Sequence, residues 1–265
     1  MNLWHWHPSV LIGLGGLLTL YVWAGGRRAG RRRILAFLGG TAALTAALLG
    51  PLAEWAEHVA LSAHMVQHLL LTLVVAPLWL AGTPGRLLEP VLRVPGVRVA
   101  GRALTRPAVA LGLAAAVLIA WHRPIFFEAA LRSETVHVLE HLTLLATGLL
   151  AWWPVLGSLP DWPRPAPPAQ LLYLFLSTVP MMVVAAPITL AEDVLYPFYA
   201  DAAASWPLAP HADQELAGVL MWVVAPLGYL VAGTIVFFRW ASLEEAETGP
   251  VVARARADGR PGRSA

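Results

Sequence analysis

Apolar residues in this chain do not alternate with polar ones. They run in blocks nearly long enough to cross a lipid bilayer, separated by short stretches that hold most of the charge. A spanning helix needs about 20 apolar residues. Seven blocks approach that length: Pro8 to Gly25, Ile34 to Pro51, Ala63 to Gly82, Pro107 to Trp121, Val136 to Leu156, Gln170 to Leu190 and Glu215 to Phe238. The fourth is short and is expected to extend toward Gly101. The pattern predicts an all-α membrane protein with seven transmembrane helices over residues 1–240. Residues 241–265 follow as a polar tail, ending in "RARADGRPGRSA", that is expected to be disordered and cytoplasmic.

Composition agrees. The chain has 265 residues, 58% hydrophobic and only 13% charged, with a mean hydropathy of +0.64, which excludes an ordinary soluble globule. The pI near 9.4 would suggest nucleic acid in a soluble protein. Here the basic residues cluster at block ends, so orientation in a membrane explains them and no nucleic-acid partner is expected. All eighteen are arginines, and with the N-terminus outside and the C-terminus inside, sixteen fall on the inner side. Only Arg123 and Arg132 fall outside, the asymmetry that the positive-inside rule requires. The run "RRAGRRR" follows the first block, so that block reads as a span rather than a signal peptide.

On this topology all nine histidines lie toward the outer side, as do ten of the sixteen acidic residues. Imidazole and carboxylate at hydrocarbon depth are expensive and are usually functional. His64 and His68 are four residues apart at the start of the third block, and "HVLEH" places His137 and His141 at the same spacing in the fifth. Residues i and i+4 share a helix face. Two such pairs, on helices running in the same direction, offer four nitrogens at one level, with His122 at the end of the fourth block beside them. This is a metal-site pattern. The isolated His5, His7, His58 and His211 read instead as interfacial residues.

With no cysteine, any metal must be held by His, carboxylate or Met. Imidazole accepts copper, zinc or iron, and affinity rises toward copper. Copper is the expected metal, although these ligands suit zinc and iron as well. Met65 is a soft neighbour of His64; Met181 and Met182 read as ordinary packing. Glu140 is a candidate for orienting a ligand histidine, and Asp193 and Asp213 are further supporting candidates, although helix capping would also account for Asp213. "WHRP" at 121–124 and "WWP" at 152–154 read as interfacial anchors followed by Pro stops. "HVLEH" also matches a metalloprotease pattern in which Glu serves as base, so a membrane metallohydrolase or oxidoreductase using the same histidines is the alternative function. Haem ligation is a third reading; paired histidines on one helix face are more than a bis-His haem needs.

"HMVQHLLLTLVVAPLWLAGTP", "WHRPIFFEAAL", "VHVLEHLTLLATGLLAWWP", "LYPFYA" and "DQELAGVLMW" occur in an order and spacing that resemble the CtaG family of bacterial cytochrome c oxidase assembly proteins, the multi-span kind associated with caa-type oxidases. The resemblance covers about residues 50–240. It implies a non-enzymatic role in maturing a haem–copper oxidase in the bacterial cytoplasmic membrane. Copper would be delivered to the oxidase active centre, with an oxidase subunit and a periplasmic or extracellular copper donor as partners. The histidines within the matching motifs are His64, His68, His122, His137 and His141.

Overall fold

The computed structural model describes residues 8–202 and 206–257, and among them every regular element is helical. The main helices are α1 (Pro8–Trp23), α2 (Arg31–Leu49), α3 (Pro51–His58), α4 (Leu61–Gly82), α5 (Pro95–Leu104), α6 (Pro107–Trp121), α7 (Pro124–Arg132), α8 (Glu134–Leu156), α9 (Pro167–Leu190), α10 (Pro197–Ala202) and α11 (Pro210–Ala257). Eight of the eleven begin at a proline. The first helical position needs no donor, and the fixed φ of proline is already helical there. The arginine-rich turn between α1 and α2 uses Gly25 and Gly30 at φ 90° and 85°, a region that side chains disfavour.

Five helices, α2, α4, α8, α9 and α11 over Pro210–Ala246, are long and apolar enough to cross a membrane; α5 and α6 together make a sixth if one bent span is counted. The first of the seven expected blocks is the shortfall. The 16 described residues of α1 rise roughly 24 Å at about 1.5 Å per residue, less than the ~30 Å hydrocarbon core. The fourth block does not continue straight toward Gly101 either, because α5 and α6 meet at 79°. Pro107 holds Arg106 in extended backbone, φ −60° and ψ 133°, and so breaks the helix. At the other end α11 runs on through Leu243, Glu244, Glu245 and Ala246 to Ala257. Those four are good helix formers, and the segment expected to be disordered from residue 241 is helical to that point.

One irregularity shapes the central helix. Residues Leu70–Val75 of α4 form a π-turn, in which the Ala76 amide donates to Leu71 rather than to Thr72. Pro77 is the physical cause, since it has no amide to donate and its ring crowds the carbonyl four residues back. The Thr72 carbonyl released by the wide turn accepts the Trp152 indole N–H at 2.8 Å. Trp152 is therefore a buried tie between α8 and α4, not the interfacial anchor that "WWP" suggested, and Pro154 lies inside α8 instead of ending it. The Trp121 indole likewise donates to Thr143 at 2.8 Å, joining α6 to α8.

Among the described residues, two apolar clusters are the largest. One, built from Leu61, Met65, Leu118, Phe127, Leu144, Met181 and Met221 among others, surrounds the upper part of α4. The second, with Ala76, Trp152, Tyr173 and Tyr229, fills the opposite end. Near that end Gly82 lets α4 press against α2; a Cβ there would lie 2.5 Å from the Phe37 amide. Large apolar side chains also cover the outside: Leu172, Phe175, Val179 and Val183 on α9, and Val223, Leu227, Leu230 and Val231 on α11. Exposed apolar area on this scale needs a covering. On helices whose backbone bonds are satisfied internally, lipid is the solvent that fits.

Candidate metal centre

The amino-terminal turn of α4 is anchored from across the bundle. Asp213, buried on α11, accepts the Ser62 amide at 3.2 Å, the Ser62 hydroxyl and the Trp206 indole at 3.0 Å. The carboxylate satisfies a free amide and complements the positive end of the helix dipole. Asp213 thus fixes the helix that carries His64 and His68, rather than supporting a histidine directly.

One turn apart on α4, the two imidazoles meet edge to face with their centroids 4.4 Å apart and their Nε2 atoms 2.9 Å apart. On α8, His137, Glu140 and His141 share a face, and the His137 and His141 rings are 4.2 Å apart. His137 lies 5.4 Å and His141 6.0 Å from His64. His122, at the end of α6, is 5.4 Å from His68. The structure therefore brings together all five histidines singled out in the sequence. Glu140 is closer in than expected. Its two oxygens are each 3.6 Å from an Nε2, one from His64 and the other from His68, so it stands among the donor atoms instead of behind them. One atom each of His64, His137, Glu140 and His141 can be chosen so that all lie within 4.8 Å of one another.

Backbone carbonyls set the tautomers. The Nδ1–H of His64 donates to Ala56 at 3.2 Å, and that of His122 donates to Leu118 at 2.8 Å. A carbonyl can only accept, so in each neutral ring Nε2 carries the lone pair. Burial also holds the His122 imidazole below its ordinary pKa, which favours that neutral form. Nε2 of His122, Nδ1 of His68, Nε2 of His141 and both oxygens of Glu140 are buried without a hydrogen-bond partner. Each such atom costs roughly 1–3 kcal/mol, and a charged one more. A cation would be stabilised where donor atoms of His64, His137, Glu140 and His141 gather around the buried carboxylate. The donor set is nitrogen and oxygen without thiolate, which suits copper, zinc or iron.

An aromatic cover closes the site from α7 and from the segment before α11. Phe127 is fully buried, with its ring 4.8 Å from His64 and 4.5 Å from Tyr196. The Tyr196 hydroxyl donates to the His122 carbonyl at 2.8 Å, and the Tyr199 hydroxyl lies 3.0 Å from Nδ1 of His64 while donating to Ala56. Burial and the nearby Glu140 carboxylate push both phenols above their ordinary pKa, so both remain donors. Gln214 braces this segment through the Leu195 amide and the Asp193 carbonyl, and Glu128 accepts the Phe198 amide at 3.0 Å. The sequence reading did not assign a role to Phe127, Tyr196 or Tyr199. "FF" and "LYPFYA", two aromatic clusters beside chemistry-bearing segments, were the available signal.

The remaining candidates go elsewhere. Met65 is fully buried in the apolar centre that also holds Met181, whereas Met182 faces outward. The side chain of Asp193 is exposed, and only its backbone carbonyl contributes, to Gln214. His211 bonds the Ala191 carbonyl and pairs with Glu215, and His58 pairs with Glu54. His5 and His7 lie outside the described residues.

Residues 17–242 match the family described as cytochrome c oxidase caa3 assembly factor (Caa3_CtaG). The chain is also similar to uncharacterized protein Mb0105 of Mycobacterium bovis and uncharacterized protein MT0111 of Mycobacterium tuberculosis. Each is 26% identical to it over 262 residues, covering 89% of this chain. The chain spans about two fifths of the length of these curated relatives, 39% in each case. No solved structure matches it.

Proposed function

Since the chain belongs to the family of cytochrome c oxidase caa3 assembly factors, we propose that it binds copper at the buried histidine cluster and delivers it to the haem–copper centre of the oxidase. The observation that carries this reading is the convergence of His64, His68, His122, His141 and Glu140 with five buried atoms lacking hydrogen-bond partners. His64 and His122 present preset lone pairs, and Glu140 balances the charge of the cargo. Phe127 and the two tyrosines exclude water. Imidazole and carboxylate hold copper less tenaciously than thiolate would, which suits a site that must release its ion. The proposed partners are an oxidase subunit within the bilayer and a copper donor at the outer surface of the bacterial cytoplasmic membrane.

For the membrane arrangement we propose seven crossings with the amino terminus outside, taking α1 as a short span and α6 as the main part of the bent one. Arginine asymmetry supports it. Because the chain has no cysteine, single cysteines introduced at exposed positions can be labelled without interference. A cysteine between residues 83 and 106 should react only from the inner side and one between 191 and 213 from the outer side. The reverse result would overturn the orientation.

The direct test of the site is the metal content of the purified protein after exposure to copper and removal of excess. About one copper per chain should be retained, and extraction with a strong chelator should remove it. A chain that retains no copper overturns the carrier reading. A Soret band in the protein as isolated would replace it with haem ligation.

A further inference from the structure

The cluster is buried, and His137 is its most exposed member. His64, His68, His122, His141 and Glu140 are all buried, whereas the His137 side chain is 12% exposed. The ring of His137 contacts those of His141 and His64, yet His137 also lines an open cavity of about 340 Å³ with Glu57, His58, Ser133, Glu134 and Arg132. Glu57 on α3 has an oxygen 4.0 Å from Nδ1 of His137 and is itself only partly buried. Arg132 in the cavity wall is paired with Glu128 at 2.7 Å, and Glu57 and Glu134 bring two carboxylates to the lining.

We infer that this cavity is the port through which a copper ion reaches the buried cluster, with Glu57 and His137 forming its first resting place. The inference rests on the carrier reading proposed above and adds a second, outer position to it. An ion arriving from water meets a carboxylate and an imidazole that hold it weakly in a solvated site. Because His137 touches both the cavity and the cluster, the ion can exchange Glu57 for His64, His141 and Glu140 without ever losing all its ligands. The step is ligand substitution only, with no change in oxidation state. Acidic lining also concentrates cations at the mouth, an effect that salt should screen.

The test is the rate of loading, separated from the final amount loaded. Cu(II) supplied as its weak glycine complex would be mixed with the full-length protein, and uptake followed by rapid quenching and metal analysis. Glu57→Gln combined with Glu134→Gln should slow uptake roughly tenfold, at the low end of what focused charge contributes to association. The copper finally bound should remain at the wild-type level. Raising ionic strength should slow the wild type and have little effect on the double variant. Wild-type loading rates in the double variant would overturn the port while leaving the buried site intact, as would a double variant that loses its final copper as well. A wild-type protein that takes up no copper would overturn the port together with the reading beneath it.

Discussion

Replacing His64 or His68 by alanine should cost more copper affinity than the roughly 10- to 100-fold typical of losing a group that merely orients a ligand. The reason is geometric. Their Nε2 atoms are 2.9 Å apart and both face Glu140, so each removes a donor from the centre of the cluster. His122→Ala and His141→Ala should follow, whereas His211→Ala, whose ring is held by Ala191 and Glu215, should leave the copper unchanged. Equilibrium competition with a chelator of known affinity, at fixed pH, measures all five. The stability of the metal-free protein should move the other way. Replacing His122 by leucine removes a buried Nε2 without a partner, while the Leu118 carbonyl that its ring bonds still accepts the backbone amide of residue 122, and exchanging an unsatisfied polar group for an apolar one is often neutral or stabilising. A His122→Leu variant that loses copper affinity but melts at or above the wild-type metal-free temperature would identify a binding site. If every variant simply unfolds and no copper effect is separable, the cluster is a structural network and the carrier reading fails.

Glu140→Gln discriminates further. The amide keeps the shape of the carboxylate but removes its charge and turns one acceptor into a donor. With both oxygens among the imidazole nitrogens, this exchange should weaken copper as much as the loss of a histidine. A smaller effect would return Glu140 to the role expected from the sequence, that of orienting a ligand histidine.

How much of this was legible beforehand varies with the kind of constraint. His64 with His68, and His137 with His141, were readable because helical periodicity is local and fixes which residues share a face. The level of His122 followed from counting spans. By contrast, the Asp213 contact with Ser62 joins residues 151 positions apart, and no local pattern announces such a pairing. Local sequence suggests capping by Asp213, but at the start of its own helix rather than that of α4. Trp152 misled for a related reason. An aromatic at the end of an apolar block is ordinarily an interfacial anchor, and only the carbonyl freed by Pro77, on a different helix, draws it inside. Pro107 was visible as a break, but the 79° angle it produces depends on where α5 finds its packing. Phe127, Tyr196 and Tyr199 lie within two of the motifs that carry the family resemblance, "WHRPIFFEAAL" and "LYPFYA", but no local pattern says that their rings cover the histidines. What brings them over the histidines is the turn of α6 into α7 and the short α10, both outside any span-length block.

A cell lacking this protein should still make the oxidase polypeptides and insert haem, yet its oxidase should be nearly inactive and short of copper at the haem–copper centre. The expectation follows from what a carrier does and a catalyst need not do. A copper position ligated within the bilayer is hard for a soluble donor to reach, whereas a donor site held between membrane helices, as α4, α6 and α8 hold this one, approaches it at the right depth. Raising external copper should restore part of the activity, because mass action fills a vacant site slowly without a carrier. The His64→Ala, His68→Ala variant, expressed at the normal level, should behave like the deletion, and His211→Ala like the wild type. Oxidase copper, haem and turnover measured on the same membranes separate the alternatives. Normal haem with absent copper supports delivery, and loss of both places the protein at an earlier step of assembly. A deletion strain with full copper and full turnover sinks delivery, and it moves the buried cluster to the remaining reading, a membrane metalloenzyme in which Glu140 works as acid or base beside the metal.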